Sequence, residues 1–169
     1  MKGTLKMLTA AAPVALALVA SGCGGAAQGA APYGGATTPS ATKSAAGAAT
    51  VKGANSSLGR IIVDSKGRTL YVFEKDRNHR SACYGPCATY WPPLLTHGKP
   101  KAASGAQRLL VGWVRRTNGS QQVTYAGHPL YRYVGDTRAG QTTGEGLTDF
   151  GAGWDAITPA GKKIEADSQ

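Results

Sequence analysis

Residues 67–76 read GRTLYVFEKD, and residues 127–136 read GHPLYRYVGD. Set against each other, the two stretches repeat Gly, Leu, Tyr, an aromatic residue and Asp at matching places. Val63 and Val123 extend the match upstream, and Trp91 and Trp154 extend it downstream, the second copy carrying a three-residue insertion. Two copies at this spacing indicate an internal duplication, since a solenoid needs at least three units.

Around these stretches the local reading is β. Residues 60–64 (RIIVD) and 68–74 (RTLYVFE) are β-branched and aromatic runs on either side of Ser65-Lys66-Gly67, which reads as a hairpin. Alternation puts Leu70, Val72 and Glu74 on one face and Tyr71 and Phe73 on the other. With few polar residues on either face, both are expected to be covered. Residues 109–116 (LLVGWVRR) and 121–125 (QQVTY) form a second hairpin around Asn118-Gly119, where both turn residues tolerate positive φ. Residues 130–134 read as a further strand, and 154–158 with 162–165 as a last short pair. The expected fold is all-β, a small sandwich or barrel-like domain of two diverged repeats. One stretch is not strand. Pro86 suits the first position of a helix and Trp91, which precedes Pro92, is excluded from helical geometry, so a short helix spans Pro86–Tyr90.

The rest of the chain divides sharply from this domain. Lys2 and Lys6 precede an apolar run over residues 7–20, which is shorter than the roughly 20 residues a bilayer span needs. A basic start, a short apolar run and then Ala20-Ser21-Gly22 read as an export signal over residues 1–22. Cys23 follows, and the segment resembles a bacterial lipoprotein signal, in which that Cys receives lipid; Ala20 stands where such signals usually carry Leu. From 24 to 58, 28 of 35 residues are Ala, Gly, Ser, Thr or Pro, too little apolar surface to offset backbone ordering, so 23–58 is expected to be a disordered tether. Eleven of the twelve aromatic residues lie in 59–169, which marks that segment as the folded domain.

The Leu-Tyr-x-Phe-x-x-Asp block, Ser81-x-Cys83-x-x-x-Cys87-Ala-x-x-Trp91-Pro-Pro-Leu94, and the block from Gln122 to Asp136 resemble the secreted-repeat bacterial lipoproteins, marked by a Tyr-x-aromatic-x-x-Asp motif. The resemblance covers roughly residues 59–159. It implies a cell-envelope address, a duplicated domain and Tyr71, Phe73, Asp76, Tyr131, Tyr133 and Asp136 as the motif residues. It implies no activity. Departures are Glu145, where Gln is usual, and Asp155, where an aromatic residue or His is usual.

Cys83 and Cys87 carry the most chemistry. In an exported protein a close pair suits a structural disulfide, and two residues four apart on a helical turn lie within bridging distance. Two alternatives stay open. Cys87 in the first helical turn would have a lowered thiol pKa and suit a redox couple. Cys83 and Cys87 with His79 offer a soft ligand set for copper. The motif aromatics suit sheet packing, and Asp76 and Asp136 suit turns. Trp91, Trp113 and Trp154 suit the core better than a ligand groove. No Gly-x-Ser-x-Gly, His-Glu-x-x-His or phosphate loop is present, so no enzyme class is indicated and no cofactor beyond the copper alternative.

The chain carries a formal net charge of +10. Within 59–169 there are 15 Lys and Arg against 9 Asp and Glu. An exported domain with that surplus meets anionic lipid or wall polymer, and no nucleic acid. The resulting expectation is a lipoprotein held to the bacterial cell membrane through Cys23, acting as a binding or structural module, with redox or copper handling at Cys83 and Cys87 as the alternative.

Overall fold

The computed structural model describes residues 47–164. The export signal at 1–22, Cys23 and the tether as far as residue 46 lie outside the described residues. The folded unit holds β1 (Thr50–Ser56), β2 (Gly59–Asp64), β3 (Tyr71–Phe73), α1 (Pro86–Tyr90), β4 (Lys101–Ala102), β5 (Val111–Arg115), β6 (Gln121–Tyr125), β7 (His128–Pro129), β8 (Leu147–Asp149) and β9 (Ala152–Ala156). They form three small sheets in the orders β2-β1-β4, β3-β9-β8 and β5-β6-β7. The fold is all-β and sandwich-like, without a closed barrel, and α1 has the bounds that Pro86 and Trp91 predict.

The fold begins earlier than composition suggests. Strand β1 lies inside the stretch expected to be tether, and it pairs with β2 from Val51 to Ser56. Small residues there serve close approach, not disorder. Gly53 donates its N–H to the Ser104 carbonyl at 3.0 Å, and a Cβ at Gly53 would stand 2.6 Å from the Gly105 oxygen. Val51, beside it, is fully buried.

The first predicted hairpin is only half formed. Gly67 takes positive φ, its N–H bonds the Asp64 carbonyl, and the chain turns back as read. Pairing stops near Thr69, where a single bridge joins it to Val63. Strand β3 then leaves for another sheet and pairs with β9, matching Tyr71 to Ala156 and Phe73 to Trp154. The second hairpin forms, β5 with β6, but Arg115 pairs with Gln121, the Arg116 N–H bonds the Ser120 carbonyl, and only Gly119 of the Asn118-Gly119 pair has positive φ. The turn is therefore a three-residue loop with a bulge. Residues 130–134 are not a strand: beyond β7, Tyr131 makes isolated bridges to Tyr71 and Pro93. The last predicted pair is reduced to one bridge, Ile157 with Lys163, because β9 lies between β3 and β8.

Alternation along 70–73 divides the core as expected. Tyr71 and Phe73 enter one cluster with Cys83, Cys87, Trp91, Tyr131 and Trp154. Leu70 and Val72 enter the other with Val123, Tyr125, Leu130 and Ile157. Both faces of β3 are covered, and all four residues are at most 3% exposed.

Candidate functional site

The six motif residues converge at the centre of the domain, and they do so by crossing between repeats. Tyr71 and Tyr131 exchange backbone hydrogen bonds, each N–H to the other's carbonyl at 2.9 Å. The Tyr71 hydroxyl donates to Asp136 Oδ2 at 2.6 Å, and the Tyr131 hydroxyl donates to Asp76 Oδ2 at 2.8 Å. Each repeat's Tyr thus bonds the other repeat's Asp. Each Asp also receives a backbone N–H from its own following loop, Ala82 to Asp76 at 2.7 Å and Thr143 to Asp136 at 3.0 Å.

The ring stacks follow the same rule, while the edge contacts stay within each repeat. Trp91 and Trp154 stack at 3.9 Å with planes 3° apart. Phe73 lies on the outer face of Trp154 at 4.1 Å, and Tyr133 on that of Trp91 at 4.4 Å. Tyr71 meets Trp91 edge-on, and Tyr131 meets Trp154 edge-on. Four stacked rings and two edge contacts form an approximately two-fold arrangement in which neither repeat has a core of its own. The geometry is that of favourable aromatic pairs, each worth about 0.5–1.5 kcal/mol beyond area burial. Asp64 adds another tie, accepting Arg68 of its own repeat and Arg132 of the other at 3.0 and 2.9 Å. Burial works to raise the Asp64 carboxyl, but the Arg68 N–H and the two guanidinium groups outweigh it and hold it below the usual range.

Cys83 and Cys87 are bridged, with Cα atoms 5.2 Å apart. Both belong to the aromatic core, at 0% and 6% exposure. Bridged sulfurs offer no thiolate to a metal. His79 is engaged elsewhere, its Nδ1 lying 2.9 Å from the Gly127 carbonyl oxygen. Among the described residues no group of three or more His, Cys, Asp or Glu is placed to hold a metal ion.

Arg116 supports the cysteine loop, a role that its place in the sequence does not mark. Its buried guanidinium donates to the Cys83 carbonyl at 2.6 Å, Ser81 Oγ at 2.7 Å and Gln122 Oε1 at 2.5 Å, and it lies 4.3 Å from the centre of the Tyr84 ring. Gln122 passes the network on to the Leu130 carbonyl. Alternation marks one of Arg115 and Arg116 as inward-facing but not which. Of the three tryptophans, Trp91 and Trp154 are fully buried and Trp113 is half exposed.

Two carboxyls give the domain an acid-leaning stability. Burial pushes Glu145 up to about 7, against the Ala156 N–H it accepts and with added repulsion from Asp155. Burial likewise pushes Asp76 up to about 6, opposed by the Ala82 N–H and the Tyr131 hydroxyl. Between the unfolded carboxylate range, near pH 4, and these folded values, the native state binds more protons than the unfolded chain. Stability is therefore expected to fall as pH rises from about 4 to about 7. Asp64 acts below that window, where its protonation removes a stabilising pair. Glu145→Gln removes the titrating carboxyl and should flatten the upper part of the slope. The partly solvated carboxyl makes the effect about 1–2 kcal/mol. Denaturant unfolding at pH 5 and pH 8 measures it; an unchanged difference between the two pH values in the variant rejects the assignment.

The comparison with known families agrees with this architecture. The family model described as "secreted repeat of unknown function" matches residues 52–95 and 112–158. Nothing matches among curated proteins or among solved structures. The two matched segments each contain a hairpin, a Leu-Tyr pair and a buried Trp, and the Tyr–Asp bonds cross from one segment to the other. The chain belongs to the family of secreted repeats of unknown function.

Proposed function

We propose that this chain is a lipoprotein, cut before Cys23 and carrying lipid, palmitate included, on that residue, whose β domain serves as a binding or structural module on the outer side of the bacterial membrane. Membership of a secreted family implies export, and the apolar run ending at Ala20-Ser21-Gly22-Cys23 supplies the lipidation signal. Among the described residues no helix is long and apolar enough to cross a membrane.

The observation that carries the module reading is the crossing of the two Tyr–Asp pairs. The motif carboxylates and hydroxyls are engaged with one another in the interior, which makes the motif a scaffold and leaves binding to the surface. Burial of the bridged Cys83 and Cys87 weighs against the redox and copper alternative, since a partner thiol or an ion has little access to either sulfur. The anchor is tested with full-length Cys23→Ser in a bacterial host. The variant is expected to lose palmitate incorporation and to leave the membrane fraction after a high-salt wash. Retention through that wash overturns the reading.

A further inference from the structure

Between Arg77 and Gly135 the sequence holds eight Lys or Arg and no Asp or Glu. Three of these cations, Lys99, Lys101 and Arg108, line one groove of about 650 Å³ together with Leu109. All three are exposed, and none belongs to the ion pairs seen among the described residues. Leu109 is 95% exposed, more than any other large apolar side chain described.

That exposure is built in. Leu109 sits in a single 3₁₀ turn, Arg108–Leu110, closed by the Leu110 N–H on the Gln107 carbonyl. Gln107 is pinned on one side, its N–H on the Tyr125 hydroxyl and its Nε2 on the Pro159 carbonyl. Leu110 is pinned on the other, its carbonyl accepting the Ala126 N–H while its side chain packs on the core. With Leu110 turned in and both flanks fixed, Leu109 is held out as a finger. Trp113, 45% exposed, follows two residues after the groove-lining Val111 and so stands on the same side of β5.

The chain that leads back to Cys23 arrives beside this groove. Thr50 pairs with Lys101, and the Ala49 carbonyl accepts the Lys101 N–H at 2.8 Å. We propose that this face, with Leu109 as an inserting apolar finger and Lys99, Lys101 and Arg108 around it, docks on the surface of a bilayer rich in anionic phospholipid. Each cation near such a surface adds to binding, and a leucine and a half-exposed tryptophan gain by entering the headgroup boundary. A dissolved polyanion would reward the cations but gives Leu109 nothing.

The inference rests on the membrane-side address proposed above. Its test uses the Cys23→Ser chain freed of residues 1–22, without lipid and without the apolar export signal, so vesicle binding reports on the face alone and the release experiment reports on the anchor alone. The chain is expected to co-sediment with vesicles of equal parts phosphatidylcholine and phosphatidylglycerol, to release as salt is raised, and to ignore pure phosphatidylcholine. Leu109→Asp should weaken binding about tenfold or more, and Lys99→Glu/Lys101→Glu/Arg108→Glu about a hundredfold, with circular dichroism unchanged. Equal binding by Leu109→Asp and the parent overturns the proposal. So does failure to bind the mixed vesicles, or binding to soluble poly(glycerol phosphate) that is as strong as to vesicles and indifferent to Leu109.

Discussion

Trp154→Ala is expected to unfold both repeats at once. Trp154 is fully buried, stacks between Phe73 and Trp91, and receives the edge of Tyr131. Truncating a core tryptophan costs about 3–5 kcal/mol, a large share of the roughly 5–15 kcal/mol that holds a domain of this size. Two of its three ring partners belong to the first repeat, so the lost packing is shared across the boundary. Denaturant unfolding followed by hydrogen exchange should show protection lost together in β1–β2 and in β5–β6, in one transition. A first repeat that stays protected while the second opens would show that the repeats are separate folding units and that the crossing is incidental.

The second large effect is expected at Asp136→Ala. The substitution removes the acceptor of the Tyr71 hydroxyl and of the Thr143 N–H and hydroxyl. Leaving the buried Tyr71 hydroxyl without its partner carboxylate costs about 3 kcal/mol. Tyr71→Phe should also destabilise, and the double variant should cost less than the sum, with a coupling of about 1–3 kcal/mol. Additive losses would mean that the pair contributes nothing as a pair. The equivalent Asp76 should behave differently. Burial already disfavours its charged form, so Asp76→Asn should cost less at pH 8 than at pH 5.

The duplication itself was open to reading. Gly, Leu, Tyr, aromatic and Asp recur in order, and each residue type suits its place: Gly67 and Gly127 both take positive φ, and Tyr71 and Tyr131 face each other in an antiparallel bridge. What could not be read is which Asp each Tyr would bond. Proximity along the chain favours Tyr71 with Asp76, five residues on, but the bond goes to Asp136. Each Asp lies at the end of a turn just beyond its own Tyr, and only the antiparallel bridge between Tyr71 and Tyr131 sets the other repeat's carboxylate at each hydroxyl.

Strand β1 shows a different failure. Composition alone marks 50–56 as tether, yet those residues stand in the first repeat where β5 stands in the second, so the duplication extends upstream to include them. Average polarity over a window measures how much apolar area a segment can bury. It does not register that Gly53 is required for backbone to lie against backbone.

The sequence by itself determined the β character, the duplication, the short helix at Pro86–Tyr90 and the pairing of Cys83 with Cys87 as one of three readings. Those properties follow from local sterics, residue periodicity and short separations along the chain. The tertiary structure alone decided that the two repeats exchange their Tyr–Asp bonds and ring stacks, that Arg116 and not Arg115 is buried, and that Leu109 and its cations stand beside the point where the chain enters the fold. These depend on contacts between residues as far apart in the chain as Phe73 and Trp154, and such contacts are selected by the packing of whole strands, which no local pattern specifies.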